Sequence, residues 1–158
     1  SKAKEVKNQL DQSIAAIQER IKEIPNKKVL VTYLRPMGEG LIRDVYIAGN
    51  HTYFNDLILM AKAQNVYEGP SLITSPVVSA EGILHMNPDV IIEVLSMTQE
   101  MKITKEEILA DWNQLAEVEA VKTNNICLLD NPLYGIPGTH LDLALLEISK
   151  CIYPEIFK

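Results

Sequence analysis

The sequence predicts an α/β protein: a three-layer α/β/α sandwich around a mainly parallel sheet, preceded by one long helix. Three observations lead there. The apolar, β-branched runs "KKVLVTYL", "DVIIEVL" and "NICLLD" show no alternation with polar residues, as strands buried on both faces require. Stretches of helical period separate these runs. Capping signals stand at two of the helix starts.

Residues 2–24 come first, with Val6, Leu10, Ile14, Ile17, Ile21 and Ile24 recurring at spacings of three and four and polar residues on the other faces. Such a helix reaches roughly 35 Å, and Pro25-Asn26 stops it. So long an amphipathic helix ahead of an α/β unit is expected to act as a strut between two bodies. "KKVLVTYL" is a strand leading into the glycine-bearing loop "RPMGEG", and "RDVYIAGN" is a second, shorter extended piece. A helix over about 52–63 presents Phe54, Leu57, Ile58 and Ala61, and "EGPSLITSP" is loop. Ser79 is the N-cap of a short helix through Met86, and "DVIIEVL" is the next strand. Thr104 and Glu107 form a capping box for a helix carrying Ile108, Leu109, Trp112 and Leu115, with Trp112 in the core. "NICLLD" is the last strand, "NPLYGIPG" a rigid loop, and residues 140–152 the last helix. In such sheets ligands gather at the carboxyl ends of strands, which puts "RPMGEG", "SMTQE" and "NPLYGIPG" along one edge.

Composition narrows the function. A net charge of −6 argues against a nucleic-acid partner, which needs a basic footprint. No apolar run reaches the roughly 20 residues that cross a bilayer, and the polar start "SKAKEVKNQL" is not a signal peptide. Cys127 and Cys151 lie in apolar surroundings and read as free, small hydrophobes, with a disulfide as the alternative. The glycines of "MGEG" and "GIPG" lack dinucleotide spacing, and neither a phosphate loop nor a nucleophile elbow is present. His51, His85 and His140 are scattered without ligand spacing, so no metal site is expected. Tyr33, Tyr53 and Tyr134 stand near strand exits and suit a large planar ligand, with ordinary packing as the alternative. Arg35, just past the first strand, is either a bidentate partner for a ligand carboxylate or a solvated loop charge. Glu81 is the second residue of its helix, where the helix dipole alone favours an acid.

The order of motifs resembles the C-terminal lobe of the ABC-importer substrate-binding proteins that carry cobalamin, ferric siderophores or haem. Residues 2–24 resemble that family's joining helix, and "VYIAGNHTYFNDLILMAKAQNV" its glycine-led, leucine-rich segment. "SAEGILHMNPDVII", "DWNQLAEVEAVKTNNICLLD" and "IPGTHLDLALLEISKCIYPEIF" resemble its later signatures in the same order. One departure is Ala63-Gln64, where the family often has Gly-Gly. The resemblance implies residues 1–25 as interlobe helix and 26–158 as the second α/β lobe, with the first lobe absent from this chain. It implies solute capture without catalysis, and cargo that is an iron chelate, haem or corrinoid, with no cofactor of the protein's own. Tyr33, Arg35, His51, Tyr53 and Tyr134 would line the lobe's half of the cleft. Glu81 matches the glutamate that docks onto arginines of the membrane permease. Location would be periplasmic, or extracellular on a lipid anchor, with the export signal upstream. Two rivals stand beside it: a small α/β enzyme acting on a nucleotide or acyl substrate, and an intracellular sensory or assembly domain with the same fold.

Overall fold

The computed structural model describes residues 1–95, 102–131, 134, 136–138 and 140–157. Helix α1 (Lys2–Ile21) opens the chain, with the Ser1 hydroxyl accepting from the Lys4 amide. It ends three residues before the predicted stop, and the Ile24 amide closes a turn onto the Ile21 carbonyl. Then follow β1 (Lys28–Leu34), β2 (Val45–Ile47), α2 (Tyr53–Met60), β3 (Gln64–Asn65), β4 (Val77–Val78) and α3 (Ala80–Met86). After β5 (Val90–Val94) come α4 (Lys105–Asp111), a 3₁₀ turn (Trp112–Leu115), α5 (Glu119–Lys122), β6 (Ile126–Leu129) and α6 (Leu141–Ile152). The Thr104–Glu107 capping box and the Ser79 cap both form as predicted.

The sheet runs β4-β2-β1-β5-β6, and β3 pairs with the start of β1. Strands β1, β5 and β6 are parallel, while β2 is antiparallel to both β1 and β4. Side-chain alternation divides two cores across this sheet. Val29, Val31, Val90, Ile92 and Val94 face α1, α2 and α6, whereas Leu30 and Ile91 face α3, Trp112 and Val118. All five residues of β5 are buried, which explains why its sequence is apolar but for Glu93.

Helix α1 packs along α6 and is held by its second half. Ile17 and Ile21 are buried, the Gln18 amide donates to the Met60 carbonyl, and the Arg20 guanidinium lies over the Phe157 ring. Its first half carries no buried residue, and Val6 is exposed. Helix α1 is therefore fixed to the sandwich mainly through its second half, along α6.

One expectation is corrected here. The cysteines are not free: Cys127 on β6 and Cys151 on α6 form a disulfide across 5.5 Å between Cα atoms. Both lie on the face of the first core, so the same burial that suggested inert thiols brings them together. The segment read as loop, residues 68–76, is loop; Val77–Val78 just after it pairs with β2, and the Gly49 and Ile47 amides donate to the Thr74 and Pro76 carbonyls.

The missing Gly-Gly costs α2 no turn. Lys62 takes the left-handed conformation (φ 53°), its amide bonds the Leu59 carbonyl, and the Ala63 amide bonds the Ile58 carbonyl. This paired closure is the one that glycine usually supplies at a helix end.

Candidate functional site

Strands β1, β5 and β6 point their carboxyl ends to one edge of the sheet, and β4 joins them because two antiparallel steps restore its direction. The connections leaving this edge are residues 35–44 after β1, the approach to α4 after β5, the segment after β6, and Ser79 at the head of α3. "SMTQE" and parts of "NPLYGIPG" lie outside the described residues.

Arg35 is not a cleft residue. Its side chain is buried, and all five guanidinium hydrogens are used inside the fold. Nε donates to Glu93 Oε1 (2.5 Å) and Nη2 to Glu93 Oε2 (3.0 Å). Nη1 donates to Asp111 Oδ2 (2.7 Å) and the Pro36 carbonyl (2.9 Å), and Nη2 also reaches the Ile108 carbonyl (3.2 Å). Trp112 Nε1 adds a bond to Glu93 Oε2 at 2.9 Å. Two buried carboxylates beside one arginine explain why a charge sits at the end of a core strand: desolvated ions persist when paired and fully hydrogen-bonded.

The same acid fixes the loop. Asp111 accepts from the Gly38 amide (2.8 Å) and the Gly40 amide (2.7 Å), and Gln114 Oε1 accepts from the Ile42 amide (2.6 Å). Alternate amides of "RPMGEGLI" are thus turned inward toward α4. Gly38 and Gly40 have φ of 74° and 72°, a conformation glycine adopts without steric cost. These inward-facing amides are unavailable to cradle an anion, in line with the missing phosphate motif.

Glu81 stands exposed in the first turn of α3, where the Ser79 hydroxyl accepts from the Gly82 amide. It lines a groove of about 500 Å³ with Ile42, Arg43, Asp44 and Val77. Arg43 is already held by Glu39 (3.0 Å) and Asp44 (2.8 Å). Among the described residues no cation pairs with Glu81, so it is the uncompensated carboxylate of that groove.

Tyr33, Tyr53 and Tyr134 are half-buried against the first core. The Tyr33 hydroxyl bonds the Ser75 hydroxyl, and Tyr53 meets the Phe54 ring at 5.9 Å between centroids. The Tyr53 hydroxyl is shut from solvent with no partner among the described residues, and burial raises its pKa. His51 is exposed with φ 60°. It follows a strand running against β1, so it leaves the sheet beside the middle of β1, where the Ala48 amide bonds the Val31 carbonyl. His85 and His140 are exposed on separate helix ends. No group of three metal-ligating side chains occurs among the described residues. At the exit of β6, the Lys105 ammonium beside Asp130 (2.7 Å) holds its carboxyl below the usual range.

Sequence reasoning missed the partners of Arg35. Glu93 hides inside a strand and Asp111 at a helix end, and the one available signal was a glutamate within an otherwise apolar run.

The fold is thus a two-core α/β sandwich with a long helix packed along one face. Residues 1–133 match the family model described as Periplasmic binding protein, and the chain belongs to that family, one of binding proteins and not enzymes. It is 24% identical over 157 residues to the uncharacterized ABC transporter substrate-binding lipoprotein YvrC of Bacillus subtilis (strain 168), covering 99% of this chain and 46% of that protein. Among solved structures it resembles one from Staphylococcus epidermidis ATCC 12228, described as a possible iron-binding (periplasmic solute-binding) protein. There the TM-score is 0.77 at 23% identity, over 96% of this chain and 55% of the other. An ABC transporter substrate-binding protein from Listeria monocytogenes EGD-e gives a TM-score of 0.77 at 21% identity, over 96% and 57%. At these identities the likeness fixes the fold. The chain spans about half the length of the relatives it matches. No helix among the described residues is long and apolar enough to cross a membrane.

Proposed function

We propose that this chain is the second lobe, with its joining helix, of a solute-binding protein that captures an iron chelate, haem or corrinoid and presents it to an ABC permease. The observation that carries this is Glu81: an exposed, uncompensated carboxylate at the corner of the edge where β1, β4, β5 and β6 end. Arg43, which lines the same groove, is occupied by Glu39 and Asp44, which leaves Glu81 for a cation from outside. Exposed charges of this kind set orientation and encounter rate more than affinity, as befits a carrier that docks and releases. Tyr33, His51 and Tyr134, with the ring of Tyr53, are the candidates for the lobe's side of the cleft. YvrC's description as a lipoprotein and the Cys127–Cys151 disulfide both favour an oxidising location outside the cytoplasm, periplasmic or membrane-anchored.

The test is Glu81→Arg in the two-lobe protein, measured for ligand affinity and for uptake through its permease. Uptake should collapse while the ligand Kd stays within twofold. Unimpaired uptake by Glu81→Arg would remove docking from this corner.

A further inference from the structure

Asn87 ends one helix and begins another. Its backbone takes the left-handed conformation (φ 46°), and its amide bonds the Ile83 carbonyl to close α3. Its side-chain Oδ1 accepts at 2.8 Å from the amide of Glu119, the first residue of α5. Val118, which precedes that helix, has no side-chain oxygen to cap it. Asn87, 32 residues from Glu119, supplies the missing cap.

Helix α3 has little else to hold its tail. Ile83 is its one fully buried side chain, with Ala80 and Met86 half-buried. Among the described residues, the other bond reaching its last turn from outside runs from the Lys28 ammonium to the Met86 carbonyl, at a long 3.4 Å. Asn87 and Glu81 stand on opposite sides of Ile83, so freedom at the tail becomes tilt at the acid. Asn87 is itself exposed, and the core does not depend on its side chain.

The facing wall of the Glu81 groove hangs on the same part of the chain. Ile42, beside Arg43 and Asp44 in that wall, is held by Gln114, while Asp111 holds Gly38 and Gly40. Residues 111–119 therefore tie both walls together, seated in the second core by Trp112, Leu115 and Val118.

We propose that Asn87 is the positioning residue of the docking corner. By capping α5 it fixes the tilt of α3, and with it the direction in which Glu81 is offered to a cation of the permease. This rests on the docking role proposed above for Glu81.

The experiment measures how tightly the two-lobe protein binds membrane vesicles that carry its permease. Glu81→Ala sets the scale and should weaken docking about fivefold, the upper range for one exposed ion pair. Asn87→Gly keeps the left-handed turn and removes the acceptor. Glu119→Pro cuts the same bond from the other side. Proline lacks the amide and is accepted at the first helical position, and Val118 already has the extended backbone (φ −69°, ψ 134°) that precedes a proline. Each of these two should weaken docking about two- to fivefold with an unchanged circular dichroism spectrum, and neither should weaken it further on the Glu81→Ala background. Asn87→Asp, which keeps the acceptor, should dock as the parent does. Parental docking by Asn87→Gly and Glu119→Pro, beside a weakened Glu81→Ala, would overturn the inference and leave the docking role standing. So would a further loss when either is combined with Glu81→Ala, because the asparagine would then act apart from the acid. Parental docking by Glu81→Ala would end both.

Discussion

Arg35 and Glu93 meet through two parallel hydrogen bonds of 2.5 and 3.0 Å, with side chains 0% and 1% exposed. The pair ties the end of β1 to the end of β5, and through Asp111 it reaches α4 and the loop beneath the Glu81 groove. Removing the arginine would leave Glu93 and Asp111 as buried carboxylates without a counter-charge.

Arg35→Ala should therefore cost about 3–5 kcal/mol, a large share of the total stability of a domain this size. Urea unfolding of the isolated chain measures it. Arg43→Ala is the control, because its ion pairs are exposed and worth at most about 1 kcal/mol. A similar loss in both variants would deny the buried cluster its role.

The disulfide gives a second prediction. Linking residues 24 apart restricts the unfolded chain by about 3–4 kcal/mol in the loop-closure estimate. Reduction, or Cys127→Ala with Cys151→Ala, should lower Tm by roughly 10 °C. Helix α1 leans on α6, which the disulfide anchors to β6, so the Ile17 and Ile21 contacts should loosen with it. A Tm insensitive to reductant would show that the link contributes nothing.

Much of this architecture was legible because single residues announced it. Ser79, Thr104 with Glu107, and the run of β5, apolar but for Glu93, each formed what local chemistry dictates. Glu81 was legible for the same reason, being a surface acid on a capped helix. Arg35 was misread because a guanidinium beside a loop looks alike whether its partners are ligand or protein, and those partners stand 58 and 76 residues away. The disulfide was hidden for a similar reason, since sequence spacing says nothing about which strand lies under which helix. Strand β4 is two residues long, too short for periodicity to reveal.

Lys62 offers a gain of stability. It occupies the left-handed position after α2 where a side chain is strained and glycine is not. Lys62→Gly should stabilise the chain by about 0.5–1 kcal/mol, raising Tm by a few degrees. The backbone bonds of the turn stay intact, including the Lys62 carbonyl that accepts from the Tyr153 hydroxyl at 3.2 Å. A loss of stability would mean that the lysine side chain makes a favourable contact outweighing its backbone strain.

Two tyrosines supply the last contrast. Burial raises the pKa of both Tyr53 and Tyr153 above the ordinary phenol value, and Glu155 adds to the rise for Tyr153. A group whose folded pKa exceeds its unfolded value contributes stability that is complete below the unfolded pKa, about 10, and is lost as pH rises through the folded one. Stability should therefore be insensitive to these groups near neutrality and fall above about pH 10. The Tyr153 hydroxyl donates to the Ala61 and Lys62 carbonyls, so Tyr153→Phe should cost about 1–2 kcal/mol at pH 7. The Tyr53 hydroxyl has no partner among the described residues, so Tyr53→Phe should be neutral or stabilising at pH 7 and should blunt the alkaline loss. Denaturant midpoints of both variants at pH 7 and 10.5 decide it. A destabilised Tyr53→Phe at neutral pH would mean that this hydroxyl is satisfied in solution, and its solitary burial would no longer explain the raised pKa.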